Sequence, residues 1–135
     1  MAGEQNLAVL LATMQPALHP NPYIICSVAP DRWQALAPLA RGTFYEAEGL
    51  TLMIEEQHAI AHGLAEGPRW ACITLKVHSS LEAIGFLATI AGWLAAQAIS
   101  VNAVAGYYHD HLFVQWERRH DAMHTLQQGV QGERS

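Results

Sequence analysis

Residues 83–99, AIGFLATIAGWLAAQAI, run without a single charged side chain. A run of this kind either crosses a bilayer or lies inside a core. This one is near the lower length limit for spanning, contains Thr89 and Gln97, lacks cationic flanks and has strand-like sequence on both sides. It therefore predicts a buried helix, and no membrane partner. Ser79-Ser80-Leu81-Glu82 matches a capping box, with Ser79 as N-cap and Glu82 at the third helical position. The helix so defined carries Leu81, Ile84, Leu87, Ala88, Ala91, Leu94, Ala95 and Ala98 on one face and Phe86, Ile90 and Trp93 on another. A helix lying on one sheet needs a single apolar stripe. The second stripe predicts a contact with the first half of the chain or with another subunit.

The flanks of that helix set the fold class. WACITLKVH (70–78) alternates, with Ala71, Ile73, Leu75 and Val77 on one side and Cys72, Thr74, Lys76 and His78 on the other, as a half-buried strand does. ISVNAVAGYY (99–108) and HLFVQW (111–116) read as two strands around a tight turn at His109-Asp110, and RRHDAMHTLQQ (118–128) reads as a short helix. Strand, helix, strand, strand, helix is the α+β, ferredoxin-like (βαββαβ) plan short of its last strand. The tail GVQGERS is short and polar, so that strand is either missing or supplied by the first half.

Gly63, Gly67 and Pro68 in GLAEGPR interrupt helix and strand alike and divide the chain into units at 1–66 and 67–135. In the first unit EQNLAVLLATM suggests a helix, and YIICSV (23–28) a buried strand after the turn-prone HPNPY. TFYEAEGLTLMIEE (43–56) suggests two strands around Glu48-Gly49, and QHAIAHGL a helical turn.

Several function classes drop out. A net charge of -5 with 7 Lys plus Arg leaves no cationic cluster for phosphates, and the pair Arg118-Arg119 reads as a solvated helix start. No cationic segment precedes the first apolar run, so no secretory leader is expected. Cys26 and Cys72 sit in strand-like runs and read as free buried thiols of a cytoplasmic protein. There is no G-x-S-x-G elbow and no P-loop, and neither cysteine has an adjacent cation to activate it. The pairs His58/His62 and His120/His124 have helical spacing, but Ala59 and Asp121 stand where a zinc protease needs its glutamate. No catalytic residue, metal or cofactor is expected on this reading. His109 and His111, flanking Asp110, remain a metal-binding alternative with two ligands and no identified third.

A small-molecule site is better motivated. The start of a helix offers unpaired N–H groups and a positive dipole end to a carboxylate. Gly85 permits close approach to that first turn. Asn102 is a polar residue in an otherwise apolar strand, and it reaches the helix start if its strand pairs beside the first one. Helix N-terminus, amide and carbonyl oxygens together suit a small zwitterion. The alternative is that the serines only cap and Asn102 faces solvent.

SSLEAIGFLATIAGWLAAQAISVNAVAGYYHDHLFV resembles the ACT domain, the small ligand-sensing module of amino-acid metabolism. LAAQAISVNAVAG in particular is similar to a segment of aspartate kinase ACT domains. With MQPALHPNPYIICSV and FYEAEGLTLMIEE, the chain resembles short stand-alone bacterial proteins with two ACT-like halves, over residues 7 to 128. The resemblance implies side-by-side pairing into a homodimer or larger homo-oligomer and an amino-acid effector bound between units. It maps the effector loop onto His78, Ser79, Ser80, Leu81, Ile84, Gly85 and Phe86, and the facing strand onto Val101, Asn102, Ala103 and Val104. The aspartate and proline common in that loop are absent here, while Gly85 remains. The implied role is non-catalytic regulation; a ligand-free assembly module for a partner enzyme is the alternative within the same fold.

Overall fold

In the computed structural model, which describes residues 3–135, the chain runs α1 (Leu7–Thr13), β1 (Gln15–Leu18), β2 (Tyr23–Val28), α2 (Trp33–Leu36), β3 (Ala40–Glu46), β4 (Gly49–Glu55), α3 (Glu56–Ala61), β5 (Trp70–Lys76), α4 (Phe86–Ala96), β6 (Val101–Ala105), β7 (Asp110–Gln115) and α5 (Arg119–Arg134). Two compact units result. One joins the described residues up to His19 with Ala71–Ser135; the other is Pro20–Trp70.

In the first of these the strand order is β1-β5-β7-β6. β1 runs antiparallel to β5, from Gln15 opposite Lys76 to Leu18 opposite Ile73. The strand that the second half lacks is thus supplied by the start of the chain, and the ferredoxin-like order is complete. Pro16 has no N–H to donate, which suits a strand on the outer side of such a sheet. Ile73 and Leu75 of β5 and Leu112 and Val114 of β7 meet Leu10, Leu11 and Met14 from α1 and its cap, and Ala122, Leu126 and Val130 from α5. Burying one Leu or Ile side chain contributes about 1.5–3 kcal/mol, so this cluster dominates the unit's stability.

The long apolar run is a core helix, but it starts later than the capping box predicts. α4 begins at Phe86, with Gly85 in a left-handed conformation (φ 89°) at its N-cap. Ser79 instead bridges Glu4, and the Ser80 hydroxyl accepts from the Glu82 N–H at 3.1 Å. The serines are spent in a turn, so Leu81 and Ile84 are 68% and 86% exposed instead of facing the core. The second stripe faces a core shared with Leu10, Leu11 and Met14 of the first half, which is one of the two contacts expected for it. Phe86 and Ile90 are buried with Leu94, and Trp93 lies so close to α5 that a Cβ on Gly129 would overlap its ring. Two further expectations shift. The β6–β7 turn is closed by Gly106 N–H donating to the His109 carbonyl at 2.9 Å, one pair before His109-Asp110. α5 continues through the polar tail to Arg134. Arg118 is also more than a solvated cation, since it donates to the carbonyls of Gln97 and Ala98 at the end of α4.

The Pro20–Trp70 unit has the order β3-β4-β2. β2 and β4 pair from Tyr23–Glu55 to Val28–Leu50. Alternation puts Ile24, Val28, Leu50, Leu52 and Ile54 on one face, against Leu36 and Ala59. The β3–β4 turn sits at Ala47-Glu48, one residue earlier than expected, because Glu46 pairs with Gly49. Both cysteines are thiols, Cys72 buried and Cys26 half-buried. Burial pushes the Cys26 thiol up, with Arg32 pulling the other way.

Candidate functional site

The loop between β5 and α4 forms because β5 ends in two tight turns, Val77 N–H to the Leu75 carbonyl and Ser79 N–H to the Val77 carbonyl, each 2.9 Å. Chain-start residues run beside it. Glu4 N–H donates to the His78 carbonyl and Ser80 N–H to the Glu4 carbonyl, both at 2.8 Å. Gly3 permits this approach, since a Cβ there would sit 2.5 Å from the His78 oxygen.

Two hollows flank the loop. One of about 230 Å³ lies among Gln5, His78, Ser79, Ser80 and Tyr107. The other, of about 200 Å³, lies among Ser79, Ser80, Phe86, Leu87, Ala105 and Asp110. Among the described residues no side chain caps the first turn of α4, which leaves N–H groups and the positive dipole end available. Asp110 opens β7 opposite Ala105. Burial pushes its carboxyl above the ordinary aspartate range, and His111 and then His109 partly offset this. A half-buried carboxylate and an uncapped helix start are complementary to the two ends of an amino acid.

The histidines of the hairpin are turned toward β5. His111 Nδ1 lies 2.9 Å from the Thr74 hydroxyl, whose oxygen is also 2.8 Å from His19 Nε2. Thr74 is 6% exposed, and its single proton couples the tautomers of the two rings. His109 Nδ1 is 3.3 Å from the Val77 carbonyl. His78 packs against Tyr108, with ring centroids 5.1 Å apart. Among the described residues no group of three or more His, Cys, Asp and Glu could hold a metal ion. On α3, His62 Nδ1 is 3.0 Å from the His58 carbonyl.

Of the residues expected at a site, His78, Ser79, Ser80, Leu81 and Phe86 line the hollows, and Gly85 forms the N-cap. Ile84 points outward. Val101, Asn102, Ala103 and Val104 are not brought to the loop within one chain. β7 separates β6 from β5, and Asn102 is exposed opposite Phe113. The condition under which Asn102 would reach the helix start, pairing of its strand beside the first one, is not met within one chain. Sequence reasoning missed Gln5, Tyr107 and Asp110. Asp110 carried no local signal, because its place near the helix start follows from β7 lying beside β5.

Two ACT domain family models match the sequence, over residues 2–68 and over residues 68–128. This chain belongs to the ACT domain family. ACT domains have a ferredoxin-like fold and are regulatory, ligand-binding modules that do not catalyse. The crystal structure of a Vibrio cholerae protein of unknown function, described as a possible transport protein, is similar over 92% of this chain and 95% of that chain, with 40% identity and a TM-score of 0.81. No curated protein matches. Among the described residues no helix is long and apolar enough to cross a membrane.

Proposed function

We propose that this ACT protein is a cytoplasmic sensor of an amino acid. Its ligand's carboxylate meets the N–H groups at the start of α4, and its ammonium meets Asp110. The observation that carries this reading is the hollow in which Asp110, Ser79, Ser80 and Phe86 converge beside an uncapped helix start. His78, Leu81 and Gly85 shape the loop. Open space on both sides of the loop favours ligand binding over an assembly-only role. Val101–Val104 enter through a second copy paired along β6, the outermost strand of its sheet. That Cys26 and Cys72 are both thiols supports a reducing compartment.

Calorimetric titration of the full chain with each common amino acid tests this. One of them is expected to bind, and Asp110→Asn to weaken it by roughly tenfold or more, the value of a charged hydrogen bond. Absence of binding across the set, or an unaffected Asp110→Asn protein, overturns the assignment.

A further inference from the structure

The Pro20–Trp70 unit carries a different constellation. A hollow of about 310 Å³ is lined by Tyr23, Leu39, Ala40, Arg41 and Glu55. That is the lower end of the roughly 300–1,000 Å³ of small-molecule sites. Its walls are set by strand register. Tyr23 and Glu55 are direct partners across β2 and β4, so their side chains leave the same face. The β3–β4 register shifts between Ala40 and Gly42, making Arg41 the extra residue of a bulge. A bulge re-aims a side chain that regular alternation would place elsewhere.

Arg41 is aimed and held. Its Nε–H donates to the Tyr23 hydroxyl at 2.6 Å, and its guanidinium carbon lies 5.6 Å from the Tyr23 ring centroid. Tyr23 is 1% exposed, so the anchor is fixed. With Nε engaged, the outer edge of the guanidinium remains, and among the described residues neither Nη atom has a hydrogen bond. That edge presents two parallel N–H donors, the fork that fits a carboxylate.

Glu55 is prepared in the opposite sense. The Asn21 amide donates to one carboxylate oxygen at 3.0 Å and the Gln57 amide to the other at 3.1 Å. These bonds, Asn21 first, hold its carboxyl below the usual range, and each oxygen keeps a lone pair for a further donor. Arg41 and Glu55 share the hollow yet, among the described residues, form no ion pair with each other. Two opposite charges, each fixed by neutral partners and kept apart, leave room for a molecule that bridges them.

We infer that the hollow at Tyr23, Arg41 and Glu55 is a second small-molecule site, which takes a zwitterion with its oxyanion on Arg41 and its ammonium on Glu55. It is built from one unit alone and does not depend on the loop before α4.

Amide NMR of the full chain tests it with glycine and γ-aminobutyrate as zwitterions of two lengths, and acetate and methylammonium as half-probes. At least one zwitterion is expected to give saturable shifts at Tyr23, Arg41 and Glu55, and to bind about tenfold or more tightly than either half-probe. Arg41→Gln and Glu55→Gln should each weaken it about tenfold or more, while Asp110→Asn leaves it unchanged. Arg41→Lys, which keeps the charge but not the fork, should also weaken it and covers the case in which Arg41→Gln fails to fold. Lack of saturable shifts at these residues overturns the inference. So does acetate binding as well as the zwitterions with Glu55→Gln silent, which marks an anion patch only. Shifts confined to His78–Phe86 overturn it while leaving the loop site standing.

Discussion

At the scale of single residues, two positions trade stability against geometry. Ala98 follows α4 with φ 58°, the left-handed region that disfavours a Cβ. Ala98 N–H donates to the Ala95 carbonyl, and Ile99 N–H to the Leu94 carbonyl at 3.0 Å, so the helix closes in a Schellman motif that ordinarily uses glycine. Ala98→Gly should stabilise the fold by about 0.5–1 kcal/mol, the relieved strain less the entropy of a freer unfolded chain. A lowered denaturation midpoint in urea would contradict that account. Asp110 is the second. Burial raises its folded-state carboxyl above the unfolded value of about 3.9. The folded protein therefore holds the proton more tightly. Stability falls as pH climbs from the unfolded value through the folded one, and the deficit persists at neutral pH. Asp110→Asn should melt higher than the parent at pH 7, modestly because the group is partly solvated, and the gap should close toward about pH 3. An equal gap at every pH would mean that burial of the charge is not its origin. A residue that weakens the empty protein and is proposed to meet an ammonium is what a binding role predicts.

At the scale of elements, legibility followed how local the cause was. The alternation in WACITLKVH and the uncharged run at 83–99 depend on burial of their own side chains, and both β5 and α4 were readable. The start of α4 was not. Ser79-Ser80-Leu81-Glu82 satisfies a local capping rule, but Glu4 pairs with Ser79, a contact from the far end of the chain. The broad face expected from Leu81 and Ile84 shifts for the same reason: the helix was phased from Leu81, which lies in the loop. Asp110 was passed over because its worth depends on which strand lies beside β7. β6 offers a prediction at this scale. Gly106 and His109 are hydrogen-bonded partners, and such pairs alternate with non-bonded ones along an antiparallel ladder. Ala105, Ala103 and Val101 therefore turn their N–H groups away from β7. Ala103→Pro removes an outward donor and leaves the β6–β7 ladder intact. If two copies pair along β6, sedimentation of this variant should show monomer with an unchanged circular dichroism spectrum. A homodimer that survives the substitution places the pairing elsewhere.

At the scale of the whole molecule, the family matches and the compact units divide the chain differently. The matches meet at residue 68, whereas β1 and α1 pack with the second half. A chain cut at 68 should therefore fail as an independent fold. It loses β1, uncovers the outer side of β5, and loses Leu10, Leu11 and Met14 from the core. Each such loss from a core costs about 2–5 kcal/mol, against a total of about 5–15 for a domain. The opposite excision should succeed. Leu18 faces Ile73, and His19 N–H donates to the Cys72 carbonyl at 2.9 Å, so the chain leaves and re-enters this unit across one antiparallel pair. An Asn-Gly turn in place of residues 20–71 would join His19 to Cys72 as a two-residue hairpin and keep the β1–β5 register. This shortened chain, which keeps α1, the loop before α4 and Asp110, is expected to unfold cooperatively in urea and to show dispersed amide resonances. Residues 68–135 alone are expected to show neither, and to gain both when a peptide of residues 3–19 is added. Cooperative unfolding of residues 68–135 without that peptide would mean that β1 is an accessory to the sheet. Disorder in the hairpin-joined chain would mean that residues 20–70 are part of one indivisible fold.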